Sequence, residues 1–177
     1  MTTDIFLIAG RISSGKSTMA MELHNELKRR GLYGWIDGFA HGVKQVAVES
    51  FGWDGVKDEK GRRLLQIVGT EAGRAYNKNI WAIRAYETNL LNVYPLPNFL
   101  IFDDWRYPNE YEVWLDKPEV NRIFTIRCFR KEEQYMNHAS EASLPDEIEY
   151  YNYGFDNNCD MALIQPRVWV MLEKLRY

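Results

Sequence analysis

The chain has 177 residues, 46% of them hydrophobic and 27% charged, with a formal net charge of −3. That balance builds one compact domain with a core of its own and provides no broad basic field for nucleic acid, although a local groove could still hold a polyanion. No apolar run approaches the roughly 18 to 20 residues of a membrane span.

The first residues, MTTDIFLIAG, carry no positive leader and run straight into a Gly-rich turn, so they read as a first strand and not as a signal peptide. From Ser17 to Arg30 the apolar residues Met19, Ala20, Leu23 and Leu27 recur at helical spacing, and Gly31 stops the helix. LYGWIDGF reads as a second strand and turn. Helices follow over His41–Phe51, Glu59–Arg74 and Asn79–Val93. NFLIFDD, 98 to 104, is a continuous apolar run of the kind found in buried parallel strands. A turn and a helix from about Pro108 come next, then the strand NRIFTIRCF. Arg130 to Tyr150 is polar, mixed in sign and poorly periodic, and reads as a mobile lid. Pro166 suits the first turn of a C-terminal helix. Strand and helix alternate throughout, which implies an α/β fold with a parallel sheet covered by helices on both faces. The two cysteines, Cys128 and Cys159, form no metal-type spacing, and free thiols in a reducing cytoplasm are the plain expectation.

Gly10-Arg11-Ile12-Ser13-Ser14-Gly15-Lys16-Ser17 fits G-x-x-x-x-G-K-[ST] without deviation. The glycines let backbone N–H groups converge on phosphate oxygens, Lys16 reaches the outer phosphates and Ser17 can ligate magnesium. The helix that follows aims its positive end at the anion. A strand before and a helix after are the context the motif requires. The motif alone does not name a reaction, because transferases, switches and motor ATPases share it.

Downstream, Asp103 and Asp104 end an apolar strand, where a carboxylate can hold water on the magnesium; either could serve. Arg106 follows, and an arginine fixed by Glu110 could clamp an acceptor phosphate in a bidentate manner. Arg63, Gln66 and Thr70 share one helix face by their i, i+3, i+7 spacing and suit an acceptor pocket. Lys44 is a further cation within reach of phosphate, and Trp53, Tyr76 and Trp81 could supply aromatic surface for a base.

In combination these segments resemble the phage deoxynucleoside monophosphate kinases, with an organisation similar to dephospho-CoA kinase and other P-loop nucleotide kinases. The resemblance runs through GRISSGKST, FAHGVKQVAVESFGWD, GRRLLQIVGTEAGR, DDWRYPNE, NHASEASLP and FDNNCD. It implies a P-loop NTPase fold of the nucleoside monophosphate kinase type: a single kinase domain over 1–177, with a helical acceptor region at about 40–95 and a LID at about 130–150. It implies transfer of a phosphoryl group from ATP, with Mg2+, to a deoxynucleoside 5′-monophosphate in the cytoplasm of a host cell. The P-loop residues Gly10, Arg11, Ser13, Ser14, Gly15, Lys16, Ser17 and Thr18 would wrap ATP. Asn157 or Asn158 would approach the donor base. Asp104 and Arg106 match the family's D-x-R pair, so Ser17 and Asp104 become the metal residues. Arg127 and Arg130 become candidates to close over the transferring group. His138 and Glu141 fall in the lid motif, and Asp37 is a candidate to orient the acceptor. The chain departs from the family at Cys159, where a glycine is usual, and at Ser17, where phage members often carry Asp. Other acceptors (dephospho-CoA, a nucleoside, a modified base in DNA) and a nucleotide-dependent switch are the competing readings. No stable nucleic-acid partner is expected, and eleven tyrosines and six tryptophans leave room for a homodimer.

Overall fold

A computed structural model describes residues 2–131 and 143–177. Five strands, β1 (Thr3–Ala9), β2 (Gly34–Asp37), β3 (Phe99–Phe102), β4 (Val120–Phe129) and β5 (Tyr153–Asp156), form one sheet in the order β2-β3-β1-β4-β5. Every pairing is parallel. The connecting helices are α1 (Lys16–Arg29), α2 (Ala40–Phe51), α3 (Glu59–Gln66), α4 (Ile80–Tyr86), α5 (Asn109–Glu112) and α6 (Ile164–Lys174). α3 continues as a wider π-helical stretch over Ile67–Arg74, and α4 does the same over Glu87–Leu91.

Strand alternation divides the core in two. Phe6, Ile8, Phe99, Ile101, Phe124, Ile126 and Cys128 face α1 and α6, where Met19, Leu23, Leu27, Val168 and Met171 are fully buried. Ile5, Leu7, Leu100 and Phe102 face the other way, against Phe39, Ala82, Tyr86, Trp105 and Trp114. Each large side chain withdrawn from water this way contributes about 1.5–3 kcal/mol, so the three layers follow from the period-2 pattern of the strands meeting the 3.6-residue stripe of the helices.

The elements expected from the sequence are present, and a fifth strand and two short 3-10 turns, Ile148–Tyr150 and Met161–Leu163, join them. β5 was not expected: its four residues, Tyr153-Gly154-Phe155-Asp156, are too short and too mixed to read as a strand, and they are fixed by pairing to β4. α5 is also only one turn long, from Asn109 to Glu112. The helical stretch between β2 and β3 occupies the expected acceptor region. Of the expected lid, 132–142 lies outside the described residues, and so do His138 and Glu141. Among the described residues no helix is long and apolar enough to cross a membrane.

Register brings Ala9 of β1, Asp37 of β2, Phe102 of β3 and Arg127 of β4 to the same carboxyl edge of the sheet. The chain leaves β1 toward β2 but leaves β3 toward β4. These two strands are neighbours, so a crevice opens above them, as is usual at such a switch in parallel sheets.

Candidate active site

The turn between β1 and α1 sits in that crevice. Gly10 lies where a side chain has no room: a Cβ would come 2.4 Å from the Cys128 carbonyl and 2.6 Å from Ser14 Oγ. Gly15 caps α1 with φ 86°, a left-handed conformation that a side chain resists. Asn157 presses against it, since a Cβ on Gly15 would meet Asn157 Nδ2 at 1.9 Å. That same Nδ2 donates to the Ser14 carbonyl at 2.9 Å, and Cys128 Sγ approaches this oxygen at 3.2 Å. The floor of the loop is therefore clamped from β4 and from the turn after β5.

The Lys16 ammonium donates to the carbonyls of Gly10 at 2.6 Å and Arg11 at 2.7 Å, which holds it across the loop mouth. Ser14 is fully buried, and its hydroxyl has no hydrogen-bond partner among the described residues. An orphaned buried donor in the turn before a helix N-terminus suits a phosphate oxygen. Ser13 and Ser17 are exposed at the rim and Thr18 is half-buried in the first turn of α1.

The two aspartates after β3 separate. Asp104 accepts hydrogen bonds from the backbone N–H of Phe39 at 2.9 Å and of Ala40 at 3.0 Å, so it caps the start of α2. Burial raises its carboxyl above the ordinary carboxylate range, and the two N–H groups only partly offset this. The resemblance expects Asp104 at the metal; in this structure both its oxygens accept from the start of α2. Asp103, the other candidate of the pair, is half-buried, and no hydrogen bond or ion pair among the described residues engages it.

Glu110 is 1% exposed. Its Oε2 accepts from the backbone N–H of Arg106 at 2.8 Å and Tyr107 at 3.1 Å, and its Oε1 accepts from Arg74 Nη2 at 2.7 Å. The carboxylate therefore shapes the Arg106 turn through its backbone, while the guanidinium that it holds belongs to Arg74. Arg74 also lies 4.0 Å over the Tyr107 ring. Burial pushes Glu110 up to about 7, against the opposing pull of Arg74. Sequence reasoning missed Arg74, although it closes the segment GRRLLQIVGTEAGR. Its distinguishing mark, a partner 36 residues away, is invisible to periodicity.

Arg11, Arg106 and Arg127 line one cleft beside the loop, with Ala9, Trp105 and Tyr151. Arg127 is a buried β4 residue and not a lid residue: it donates to the Cys128 carbonyl at 2.9 Å and to Asp146 Oδ1 at 2.8 Å. Arg11 donates to the other oxygen of Asp146. Arg130 is exposed beyond the end of β4.

Several expected contacts are not assembled. Arg63, Gln66 and Thr70 do share a face, but it is exposed, and Arg63 is engaged by Glu71, with Nη2 to Oε2 at 3.2 Å. Lys44 is exposed on α2. Asp37 accepts from Gly38 N–H at 2.8 Å and from Asn89 Nδ2 at 2.7 Å, pairs with His41, and lines a second cleft with Gln45, Trp81 and Arg84. Asn157 is committed to the P-loop floor. Asn158 binds Asp156 at 2.7 Å and accepts from the Lys131 N–H at 2.8 Å. The two asparagines, expected at the donor base, here support the loop and the β5 turn.

No family model and no curated protein matches the chain. Among solved structures it is similar to the Mycobacterium tuberculosis APS kinase CysC, both as a Cys556Ala mutant and in complex with AMPPNP and APS. The TM-score is 0.53 in each case, identity is 12% and 11%, and 99% of each chain is covered. The chain therefore shares its α/β three-layer fold, a five-stranded parallel sheet between helices, with these structures.

Proposed function

We propose that this protein is an ATP-dependent kinase that phosphorylates a deoxynucleoside 5′-monophosphate to the diphosphate. The observation that carries the reading is the cleft itself: an orphaned buried Ser14 hydroxyl and the Lys16 ammonium at the P-loop, with Arg11, Arg106 and Arg127 lining the wall beside it. A P-loop hydrolase or switch also sets an arginine against the transferring group, and a wall of three arginines suits a second, phosphorylated acceptor as well.

In this reading the Gly10–Thr18 loop wraps the donor phosphates, and Lys16 turns from its carbonyl partners to the transferring group. Ser17 and Asp103 would hold Mg2+, which neutralises charge on the donor phosphates when bound. Arg74, fixed by Glu110 and by the Tyr107 ring, and Arg106 on the adjacent turn are the acceptor-phosphate candidates. Trp105 and Tyr151 give the cleft an apolar wall that excludes water, which limits loss of the phosphoryl group to hydrolysis. Phosphoryl transfer rests mainly on positioning and charge stabilisation, so no general base is required.

The test is a magnesium-ATP assay against a panel of deoxynucleoside monophosphates that includes 5-hydroxymethyl pyrimidines, with Lys16→Ala as control. APS belongs on the panel, because a protein of this fold was solved in complex with it. Diphosphate formed with one or more monophosphates and lost in the control is the expected result. Turnover with APS alone, or none that depends on an acceptor, would overturn the monophosphate reading.

A further inference from the structure

One carboxylate bridges two cations in the wall of the cleft. Asp146 Oδ1 accepts from Arg127 Nη2 at 2.8 Å, and Asp146 Oδ2 accepts from Arg11 Nη2. The exposures are unequal: the side chains of Arg11 and Arg127 are 12% and 5% exposed, whereas that of Asp146 is 52% exposed. Two shielded guanidiniums therefore both engage one half-solvated carboxylate. The guanidiniums are built into the P-loop and into the central strand β4. Asp146 comes from the connection that precedes β5, beside Leu144 and Pro145 in the same cleft wall.

We propose that Arg11 and Arg127 form an oxyanion subsite for a nucleotide phosphate, and that Asp146 occupies it in the ligand-free protein as an internal, displaceable anion. Two oxygens of one planar carboxylate on two guanidiniums reproduce the way two oxygens of a phosphate would be held. A phosphate dianion offers these two arginines more charge and more acceptor oxygens than the carboxylate it would replace. Burial would raise the Asp146 carboxyl, but the hydrogen bonds from Arg11 and Arg127 outweigh this and keep it ionised, so it competes at neutral pH. Displacement needs little backbone change: Pro145 stays tied through its carbonyl to Tyr151 Oη at 2.6 Å, and a half-exposed aspartate has room to turn outward. An internal competitor of this kind lowers phosphate affinity in proportion to its own occupancy.

The inference rests on the phosphate chemistry proposed for the cleft, so its test avoids turnover. Inorganic phosphate is titrated calorimetrically at constant ionic strength into the Lys16→Ala protein, which silences the P-loop, and into the same protein carrying Asp146→Asn. The expected result is about tenfold tighter phosphate binding with Asp146→Asn, the scale of losing one partly exposed bridging carboxylate. The gain should vanish when Arg127→Gln is added. Asp146→Glu, which keeps the competing charge, should bind like the parent. If Asp146→Asn proves unstable, phosphate should raise its denaturation midpoint more than that of the parent. Unchanged or weaker binding together with no rescue by phosphate would make the bridge a structural ion pair and overturn the proposal. Tightening in a protein that proves inactive on every acceptor would support the subsite and count against the kinase reading alone.

Discussion

Replacing Gly15 by alanine tests the clamp under the P-loop. The new Cβ would lie 1.9 Å from Asn157 Nδ2, a distance that no packing tolerates. Asn157 is 5% exposed and must leave its place, giving up its 2.9 Å bond to the Ser14 carbonyl. The left-handed backbone at φ 86° costs an alanine about 1–2 kcal/mol. Displacing a buried hydrogen-bonded amide costs about 1–3 kcal/mol more. Gly15→Ala should therefore destabilise by about 2–5 kcal/mol, and Asn157→Ala alone by about 1–3 kcal/mol. In the double variant the obstacle is gone and only the backbone strain adds to the lost amide. Its total should match that of Gly15→Ala, leaving a coupling of about 1–3 kcal/mol in a double-mutant cycle. Urea denaturation gives the four free energies, and titration with a non-hydrolysable ATP analogue reports whether the cradle survives. Additivity within about 0.5 kcal/mol would refute the clamp and return Asn157 to a role at the donor base.

Three further outcomes follow from the site. Asp103→Asn should lower magnesium-dependent kcat by about 100-fold or more, while Asp104→Ala should chiefly cost about 1–2 kcal/mol of stability through the lost α2 cap; kinetics and denaturation of both variants check this, and the reverse ranking would restore Asp104 to the metal. Glu110, raised to about 7 from 4.5, holds a proton in the folded chain that it has lost in the unfolded one, so its contribution to stability is fullest below pH 4.5 and falls away, by roughly 3 kcal/mol in all, as pH rises to about 7. Denaturation of the parent should therefore steepen with pH over that window relative to Glu110→Gln, and parallel curves would show that burial does not dominate. Arg74→Lys keeps the charge but loses the fork and the ring contact, so the acceptor KM should rise about tenfold with a smaller change in kcat, and an unchanged KM would remove Arg74 from the acceptor phosphate.

Much of the frame was legible because it is local. The P-loop is eight consecutive residues whose spacing is dictated by the curl of a backbone around an anion. β1, β3 and β4 are apolar runs, and α1 shows its stripe and its Gly31 stop. These features depend on neighbours within a turn or a strand. β5 escaped because its identity lies in what it pairs with: Phe155 meets Cys128 and Asp156 meets Phe129, and nothing within its four residues says so. The helices of the middle region were legible as helices, but not their widening over Ile67–Arg74, which sets where Arg74 arrives.

The site residues whose contacts the sequence leaves open share one physical cause. Chemistry-bearing side chains were placed by type, and their partners lie across the fold. Asp103 and Asp104 are adjacent and identical in type, and only the fold shows that Asp104 meets the N-terminus of α2. Glu110 was expected to hold the neighbouring Arg106, yet it serves that residue's backbone and gives its charge to Arg74. Asp146 attracted no notice after Pro145, and it meets an arginine 135 residues earlier. Once such pairs are known, the charge pattern gains a direction: Glu110 and Asp104 use their oxygens on groups that must stay put, whereas Asp146 spends its oxygens, from a half-exposed position, on groups that a substrate would also seek. A carboxylate of the first kind builds the site. One of the second kind sets how readily the site is entered, and only its exchange with an external anion distinguishes the two.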